Sequence, residues 1–538
     1  MAWVLPQLEN EVQDKRVESV WFPCADEGST PSSSTDMAAV HKHVIIAIGI
    51  FASTSMVKAQ DSLNTRITYD LTTETSVGTG DYTAFQLVTN RHHVMGTRSN
   101  TAYLRGAVYA MHSLNKKLTL SGAIDVVASV HADHEAYLQQ CYANLSYDSF
   151  FVEAGSRENT QVLRDDLLST GAFVKGTNAK PIPQVHFGTN SFWTVPNTKD
   201  WLQINFDVGY GKFMDDNYHE KKFRQENSHN SRYTIGTYYH QKHLYFRSNP
   251  TKRFFAIAGI EHVVQFSGTR YEYKDGELVA KKKPADLKAF LNVILPLGDS
   301  SYFENDSKED WVFGNHIGMM TVQIGWNINS NHLLQAYLDN TFEDGSGIRK
   351  GNGWDGLWGL QYNNKAKGRR HVRGAVFEYF QTTNQSGPIH WDGEDYPDPI
   401  RGQITDFVAG NDYYYNHNFY DGYAYYGMTP GNALITSPIY NKDGFLGFRD
   451  NRIKAWHLGI NGEITGKISY LVKGSYREGW GTYFFPLPTK HHSFDALVQG
   501  TYDIGFWKFS AAYAFDKGNI YGDCSTFNLK INFHGKIL

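Results

Sequence analysis

Strict two-residue alternation recurs along this chain and limits its fold more than any other feature. Leu202, Ile204, Phe206, Val208 and Tyr210 interleave with Gln203, Asn205, Asp207 and Gly209. Met320, Val322, Ile324, Trp326 and Ile328 interleave with Thr321, Gln323, Gly325 and Asn327. Trp456, Leu458, Ile460 and Ile464 alternate with His457, Asn461, Glu463 and Thr465, and Trp507, Phe509, Ala511, Tyr513 and Phe515 with Lys508, Ser510 and Asp516. A last apolar face, Phe527, Leu529, Ile531 and Phe533, lies close to Leu538. Successive side chains of a strand point to opposite faces, so each run predicts a β-strand with one apolar and one polar side.

Alternation alone does not separate a β-sandwich, whose polar face meets bulk water, from a membrane barrel, whose polar face lines a lumen while the apolar face meets lipid. Composition favours the barrel. With 34 Tyr, 33 Phe and 12 Trp the chain is 15% aromatic, yet its 538 residues are polar on average, with a mean hydropathy of −0.46. A barrel needs this combination, because only every second strand residue meets lipid and aromatic rings mark the two interfaces. Strands that run on to the C-terminus also let the first and last pair, leaving no open edge. At about 25 residues per strand with its connection, residues 60–538 accommodate roughly 16 to 20 strands, and an even number is expected.

The N-terminal region predicts export. From Met37 the chain reads Met-Ala-Ala-Val-His-Lys-His, then an apolar run from Val44 to Ala52, then Val57-Lys58-Ala59 before Gln60. This is the cationic, apolar and small-residue order of a secretory signal, with cleavage after Ala59. The run is much shorter than the roughly 20 residues of a membrane-spanning helix. Residues 1–36 then read as an over-long start outside the native protein, residues 37–59 as the signal peptide and residues 60–538 as the barrel. Cys24 falls outside the mature chain on this reading. Cys141 and Cys524 remain, either as one disulfide or as two free thiols.

Connections are expected to be uneven. Asp275-Gly276, between Tyr271-Glu-Tyr273 and Leu278-Val279, predicts a tight hairpin turn. Thr382 to Tyr440, rich in Gly, Asn, Asp, Tyr and Pro, reads as one or two large loops. Arg157 to Pro183 alternates poorly and is expected to form a short helix or an inward-folded plug segment. Trp354 and Trp358, if both lie on one strand, face the same way and suit a lipid-interface belt.

Ordered segments along the chain also resemble a known family. They are Thr83-Ala-Phe-Gln-Leu-Val-Thr-Asn-Arg91, Leu168-Ser-Thr-Gly171, Asn178-Ala-Lys-Pro-Ile-Pro-Gln184, Thr198-Lys-Asp-Trp-Leu202 and His240-Gln-Lys-His-Leu-Tyr-Phe-Arg247. Later come Gly353-Trp-Asp-Gly-Leu-Trp-Gly359, Gln385-Ser-Gly-Pro-Ile389, Gly410-Asn-Asp-Tyr-Tyr414, Ser437-Pro-Ile-Tyr-Asn441 and Trp480-Gly-Thr-Tyr483. In this succession the chain resembles the Wzi capsule-assembly family, particularly its Bacteroidetes branch. Lys180 departs from the Arg usual in the Asn-Ala-Arg-Pro-Ile-Pro motif, keeping the charge but not the bidentate fork. The resemblance implies an all-β fold: a transmembrane antiparallel barrel of about 18 strands with a small helical or plug segment. It also implies a lectin-like role in assembling or anchoring capsular or extracellular polysaccharide, with outer-membrane lipid around the barrel and capsule export proteins as further partners. A porin for small solutes is the alternative.

Sugar recognition needs flat apolar faces for pyranose rings and amides or carboxylates for hydroxyls. Trp391, Asp392, Tyr396, Asn411, Asp412, Tyr413, Tyr414 and Tyr415 supply that mixture and are the candidate carbohydrate-binding residues; the same rings equally suit packing loops together or an interfacial girdle. Asn178, Lys180, Pro181 and Pro183 read as a structural motif, a rigid non-helical turn. The histidines of His92-His93, Glu261-His262 and His491-His492 form no catalytic constellation, since neighbours on a strand diverge, so no enzymatic activity is expected. Neither a zinc spacing nor a phosphate-binding glycine loop occurs, so no metal or cofactor is expected. A net charge of −4 gives no basic field for nucleic acid.

Overall fold

The structure, a computed structural model, describes residues 64–538 except 226–227, 295–312, 344, 349, 386–412 and 484. The proposed extension and signal peptide, and the candidates Trp391, Asp392, Tyr396, Asn411 and Asp412, lie outside the described residues. The alternating runs form a closed antiparallel barrel of 18 strands. They are β1 (Thr65–Thr79), β2 (Ala102–Ser113), β3 (Leu118–Val130), β4 (Ala136–Tyr147), β5 (Phe150–Ser156) and β6 (Gln184–Thr189, resuming at Trp193–Thr194). Then come β7 (Leu202–Lys212), β8 (Tyr238–Ser248), β9 (Phe254–Phe266), β10 (Asn315–Asn327), β11 (His332–Phe342) and β12 (Gly356–Asn364). The last six are β13 (Gly374–Gln381), β14 (Ile453–Glu463), β15 (Ile468–Gly481), β16 (Pro486–Asp503), β17 (Trp507–Gly518) and β18 (Cys524–Lys536). Each pairs with its neighbours in sequence, and β1 closes on β18 in register from Thr68↔Lys536 to Thr79↔Ser525. Closure leaves no unpaired edge, as a membrane-spanning sheet requires.

The apolar face of every run points outward. Val322 and Ile324 on β10, Leu458 on β14, Tyr513 on β17 and Leu529 on β18 are exposed, whereas Thr321, Gln323, His457 and Asn528 are buried inside. A soluble fold would bury the former, so the outer wall is a lipid-facing surface. Aromatic rings bracket it. Near one end Trp358, Tyr379, Trp456, Tyr476 and Phe494 are successive cross-strand partners. Near the other, Trp507 and Phe533 lie 4.5 Å apart and Phe254 and Trp326 6.0 Å apart. Trp358 lies on β12, but Trp354 precedes the strand, so the two rings meet at 5.3 Å by a loop folding back and not by strand alternation.

Connections separate by end. Residues 114–117, 148–149, 249–253, 328–331, 464–467 and 504–506 form short turns at the end that also holds Asn64 and Leu538, whose backbones bond to Ser113 and Ile67. The opposite end carries the long connections, of which residues 80–101, 157–183, 213–225, 228–237, 267–294 and 413–452 are described. Short turns face the periplasm and long loops the exterior in bacterial barrels. The hairpin at Asp275-Gly276 joins Gly268–Lys274 to Glu277–Lys283 in a small three-stranded sheet with Arg232–Ile235 at the long-loop end. Asp275 and Gly276 have φ of 53° and 86°, the pair of positive values a type I′ turn requires. β13 and β14, on either side of residues 382–452, pair directly from Gly374↔Asn461 to Gln381↔Lys454. Cys141 faces outward and Cys524 is buried with its thiol donating to Asp516 at 3.2 Å; both are free.

Candidate functional site

Three of the long connections turn back into the lumen. Residues 80–101 carry a single helical turn, α1 (Phe85–Val88), whose four side chains are all buried. Residues 157–183 form an inward-folded plug and contain no helix among the described residues, which decides between the two forms expected for that stretch. Residues 413–452 lie over both. The rings of Phe173, Tyr414, Tyr415, Tyr423 and Phe448 form one buried cluster where the plug and this loop meet.

Isolated polar side chains on the inward faces of the strands hold the plug. Glu378 on β13 accepts from the Ser169 hydroxyl at 2.6 Å and from the Thr170 amide and hydroxyl at 2.8 and 2.7 Å. Tyr337 on β11 donates to the same carboxylate at 2.6 Å. The Tyr337 ring lies across Gly359, where a Cβ would sit 2.0 Å from the ring, so only glycine admits this arrangement. The Arg164 guanidinium stacks 3.8 Å from the Tyr337 centroid and pairs with Asp339, and both charged groups are buried. His457 on β14 contacts the Leu168 carbonyl at 2.7 Å. Residues 80–101 are held likewise: Arg91 donates to Glu74 at 2.8 Å, Gln86 to Ser475 at 2.8 Å, and Asp516 accepts the Phe85 amide at 2.8 Å. Buried Arg477 donates to the Leu434 carbonyl at 2.6 Å and so ties the third loop to β15.

The rigid-turn motif lies inside this assembly. Asn178 accepts the Asn90 amide at 3.2 Å and donates to the Thr429 carbonyl at 3.1 Å, so its one amide joins all three loops. Lys180 places its ammonium 3.3 Å from the Tyr137 centroid and 4.9 Å from that of Tyr426. Burial lowers its pKa to about 7, and the facing rings supply cation–π contact in place of water. Pro181 is buried with the motif, and the Pro183 carbonyl accepts the Lys212 amide at 3.1 Å where the plug returns to the barrel.

The described candidate tyrosines occupy different environments. Tyr415 is fully buried: its ring stacks on Phe173 at 4.8 Å, its hydroxyl donates to the Phe173 carbonyl, and it accepts the Asn432 amide at 2.9 Å. Tyr414 is equally buried, with its oxygen accepting from Asn352 at 3.0 Å. Both pack loops together, the structural role the sequence left open for them. Tyr413 keeps a partly exposed side chain whose hydroxyl donates to Thr482 at 3.1 Å. Tyr415→Ala is expected to cost about 3–5 kcal/mol in the stability of this loop cluster, read as faster protease cleavage within residues 413–452.

A second clasp lies at the outer end. On helix α2 (Asp216–Phe223), His219 sits between Asp421 at 2.7 Å and Asp215 at 3.3 Å. Asp421 also accepts the Thr234 amide at 2.9 Å and Asp215 the Tyr426 amide at 2.8 Å. Burial alone would favour neutral imidazole, but the two carboxylates raise its pKa to about 10. The folded value lies above the unfolded one of about 6.5, so this stabilisation is complete below about pH 6.5 and is lost as pH rises toward 10. Exchange of the Thr234 and Tyr426 amides should therefore accelerate across pH 7–10, beyond the intrinsic base-catalysed rise. His219→Ala is expected to remove that excess and to cost about 3 kcal/mol at neutral pH, as loss of one partner of a buried ion pair does.

Between the plug and β8–β9 lies a cavity of about 30 Å³ lined by residues including Arg164, Lys175, His243, Tyr245 and Glu261, room for water and not for a solute. No group of His, Cys, Asp and Glu able to hold a metal occurs among the described residues. Fold and lumen thus define an outer-membrane-type β-barrel whose lumen holds three of its own loops.

No family model matches the chain, and no curated protein does. Among solved structures it is similar to Wzi of Escherichia coli, an outer-membrane protein involved in group 1 capsule assembly and a carbohydrate-binding β-barrel. That match has a TM-score of 0.52 at 10% identity over 86% of this chain and 84% of Wzi. OccK5 of Pseudomonas aeruginosa matches with a TM-score of 0.44 at 8% identity over 89% and 100%, and OccAB4 of Acinetobacter baumannii with 0.41 at 11% over 88% and 99%. At such identities the likeness is one of fold.

Proposed function

We propose that this protein is a lectin-like barrel of the Wzi kind that helps assemble or anchor capsular or extracellular polysaccharide at the bacterial surface. The signal at residues 37–59 directs it to the outer membrane, and capsule export proteins are its partners there. The observation that carries the reading is the filled lumen, in which three loops from one end interlock through buried polar contacts such as those of Asn178 and Glu378. A closed platform suits retention of a polymer better than passage of a solute. Glycan contact falls to Trp391, Asp392, Tyr396, Asn411, Asp412 and the accessible side of Tyr413, while Tyr414 and Tyr415 hold that loop in place.

Binding of the detergent-purified barrel to polysaccharide from its own host, with planar-bilayer conductance measured on the same preparation, tests this. Saturable binding with little conductance is the expected result. Trp391→Ala, Tyr396→Ala and Tyr413→Ala should each weaken binding by about tenfold, or 1.4 kcal/mol, without changing barrel assembly; equal retention by all three removes this assignment. A diffusion channel is the second reading, favoured by the charged inward wall formed by Arg105, Asp125, Glu153, His186 and Asp207. Large, steady conductance without binding would select it.

A further inference from the structure

Part of the outer wall breaks the apolar pattern. On the outward faces of β8, β9 and β10, toward the long-loop end, stand His240, Lys242, His262 and His316. The His262 and His316 rings are in contact, with Nε2 and Nδ1 3.0 Å apart. Nothing polar is expected on a wall that meets acyl chains. These side chains do not meet them: His240, His262 and His316 are almost wholly buried although they point away from the lumen.

Phe342 stacks on His262 at 6.0 Å and the Phe313 carbonyl meets His316 at 3.1 Å; beside them helix α3 (Leu287–Asn292) with Val293 packs on Val264 and Phe266 of the same wall. Asp286 caps the helix by accepting the Ala289 amide at 2.8 Å. Ala289, Phe290 and Val293 face the wall, and Phe290 lies 5.2 Å from Tyr210, 5.4 Å from Tyr238 and 5.0 Å from Phe266. Tyr210 donates to the Phe290 carbonyl at 2.6 Å, and the Lys242 ammonium to the Val293 carbonyl at 3.1 Å. The helix end thereby supplies an acceptor to a cation on the lipid side of the sheet. Away from the wall, Lys288 and Asn292 flank an apolar stripe that a water-exposed surface helix would not carry. Leu287, Leu291 and Ile294, spaced i, i+4 and i+7, are 75%, 56% and 37% exposed.

We propose that α3 is a membrane foot, and that the occupant of the Leu287–Leu291–Ile294 stripe is acyl chain of the outer leaflet. Continuity with the lipid-facing surface carries this assignment. The wall along the same strands presents Leu244, Phe246 and Ile260, all exposed, and the stripe prolongs that apolar surface past Lys242 and the neighbouring histidines. The helix replaces a wall face that lipid would reject with one that lipid accepts, and fixes how deep the outer end of the barrel sits.

Spin-label accessibility in phospholipid vesicles tests it. A nitroxide is placed at Leu291→Cys, with Cys24, Cys141 and Cys524 replaced by Ser, and its collision rates with lipid-soluble oxygen and a water-soluble nickel chelate are compared. Leu244→Cys on the wall and Lys274→Cys at the hairpin serve as lipid and water references, and each variant must retain the folded barrel's resistance to unheated detergent. The expected oxygen-to-nickel ratio at 291 lies with that of 244 and at least tenfold above that of 274, and Leu287→Cys gives the same result independently. Ratios at both positions matching that of 274 place the stripe in water and overturn the proposal. Protection from both colliders overturns it too, since protein would then cover the stripe.

Discussion

Arg164→Ala is expected to release the plug without opening the barrel. The guanidinium and the Asp339 carboxylate are both buried in the lumen, and the cation also covers the Tyr337 ring whose hydroxyl donates to Glu378. Removing Arg164 leaves Asp339 buried and unpaired, a change that costs about 3–5 kcal/mol. Residues 157–183 contribute no strand to the sheet, so the loss falls on their docking and not on the barrel. In hydrogen exchange, amides between Gln161 and Asn178 should lose roughly a hundred- to several-thousandfold protection while those of β10 and β11 keep theirs. Pairing Arg164→Met with Asp339→Leu should restore most of it, because a well-packed apolar pair can match a buried ion pair. If Arg164→Ala alone leaves plug exchange unchanged, Glu378 and the loop cluster are sufficient to hold it.

The wall of this molecule was legible in its sequence and most of the interior was not. Strand period follows from alternation running to Phe533, because lipid outside and polar groups inside impose the same pattern on every strand; closure and an even strand number are what a membrane barrel with such a wall requires. The hairpin at Asp275-Gly276 was equally legible, since positive φ at both positions selects those residue types. Plug contacts depend instead on single inward residues such as Glu74, Asp339 and Glu378, which read in sequence as ordinary polar-face positions. Their one signal is a carboxylate on a strand facing a lumen, where it needs a partner. The tyrosines at 413–415 show the same limit, for composition marks an aromatic loop but only the fold distinguishes the partly exposed ring from the two in the core. The histidine patch on β8–β10 departs from the expected outward pattern, and such departures mark places where something else covers the wall.

Replacing residues 160–181 with a short Gly-Ser linker is expected to turn a barrel with little conductance into a channel. Closed sheets of 16 to 18 strands enclose an aqueous pore when nothing fills them, and here the filling comes from loops. The excision removes Arg164, Ser169, Thr170, Phe173 and Asn178 together. With them go the contacts to Glu378 and Asp339, the stacking surface under Tyr415, and the amide that joins residues 80–101 to residues 413–452. β5 and β6 still pair with each other from Phe150↔Thr189 to Gly155↔Gln184, so the sheet closes as before. Discrete conductance steps that scale with salt are expected in planar bilayers where the parent chain gives almost none. Steps already present in the parent would mean that the loops do not seal the lumen and would support the channel reading. An excised barrel that stays closed would assign the seal to the other two loops. Polysaccharide binding by the same variant then separates two roles: retained binding places recognition on the outer loops alone, whereas its loss means that the plug holds those loops in their binding form.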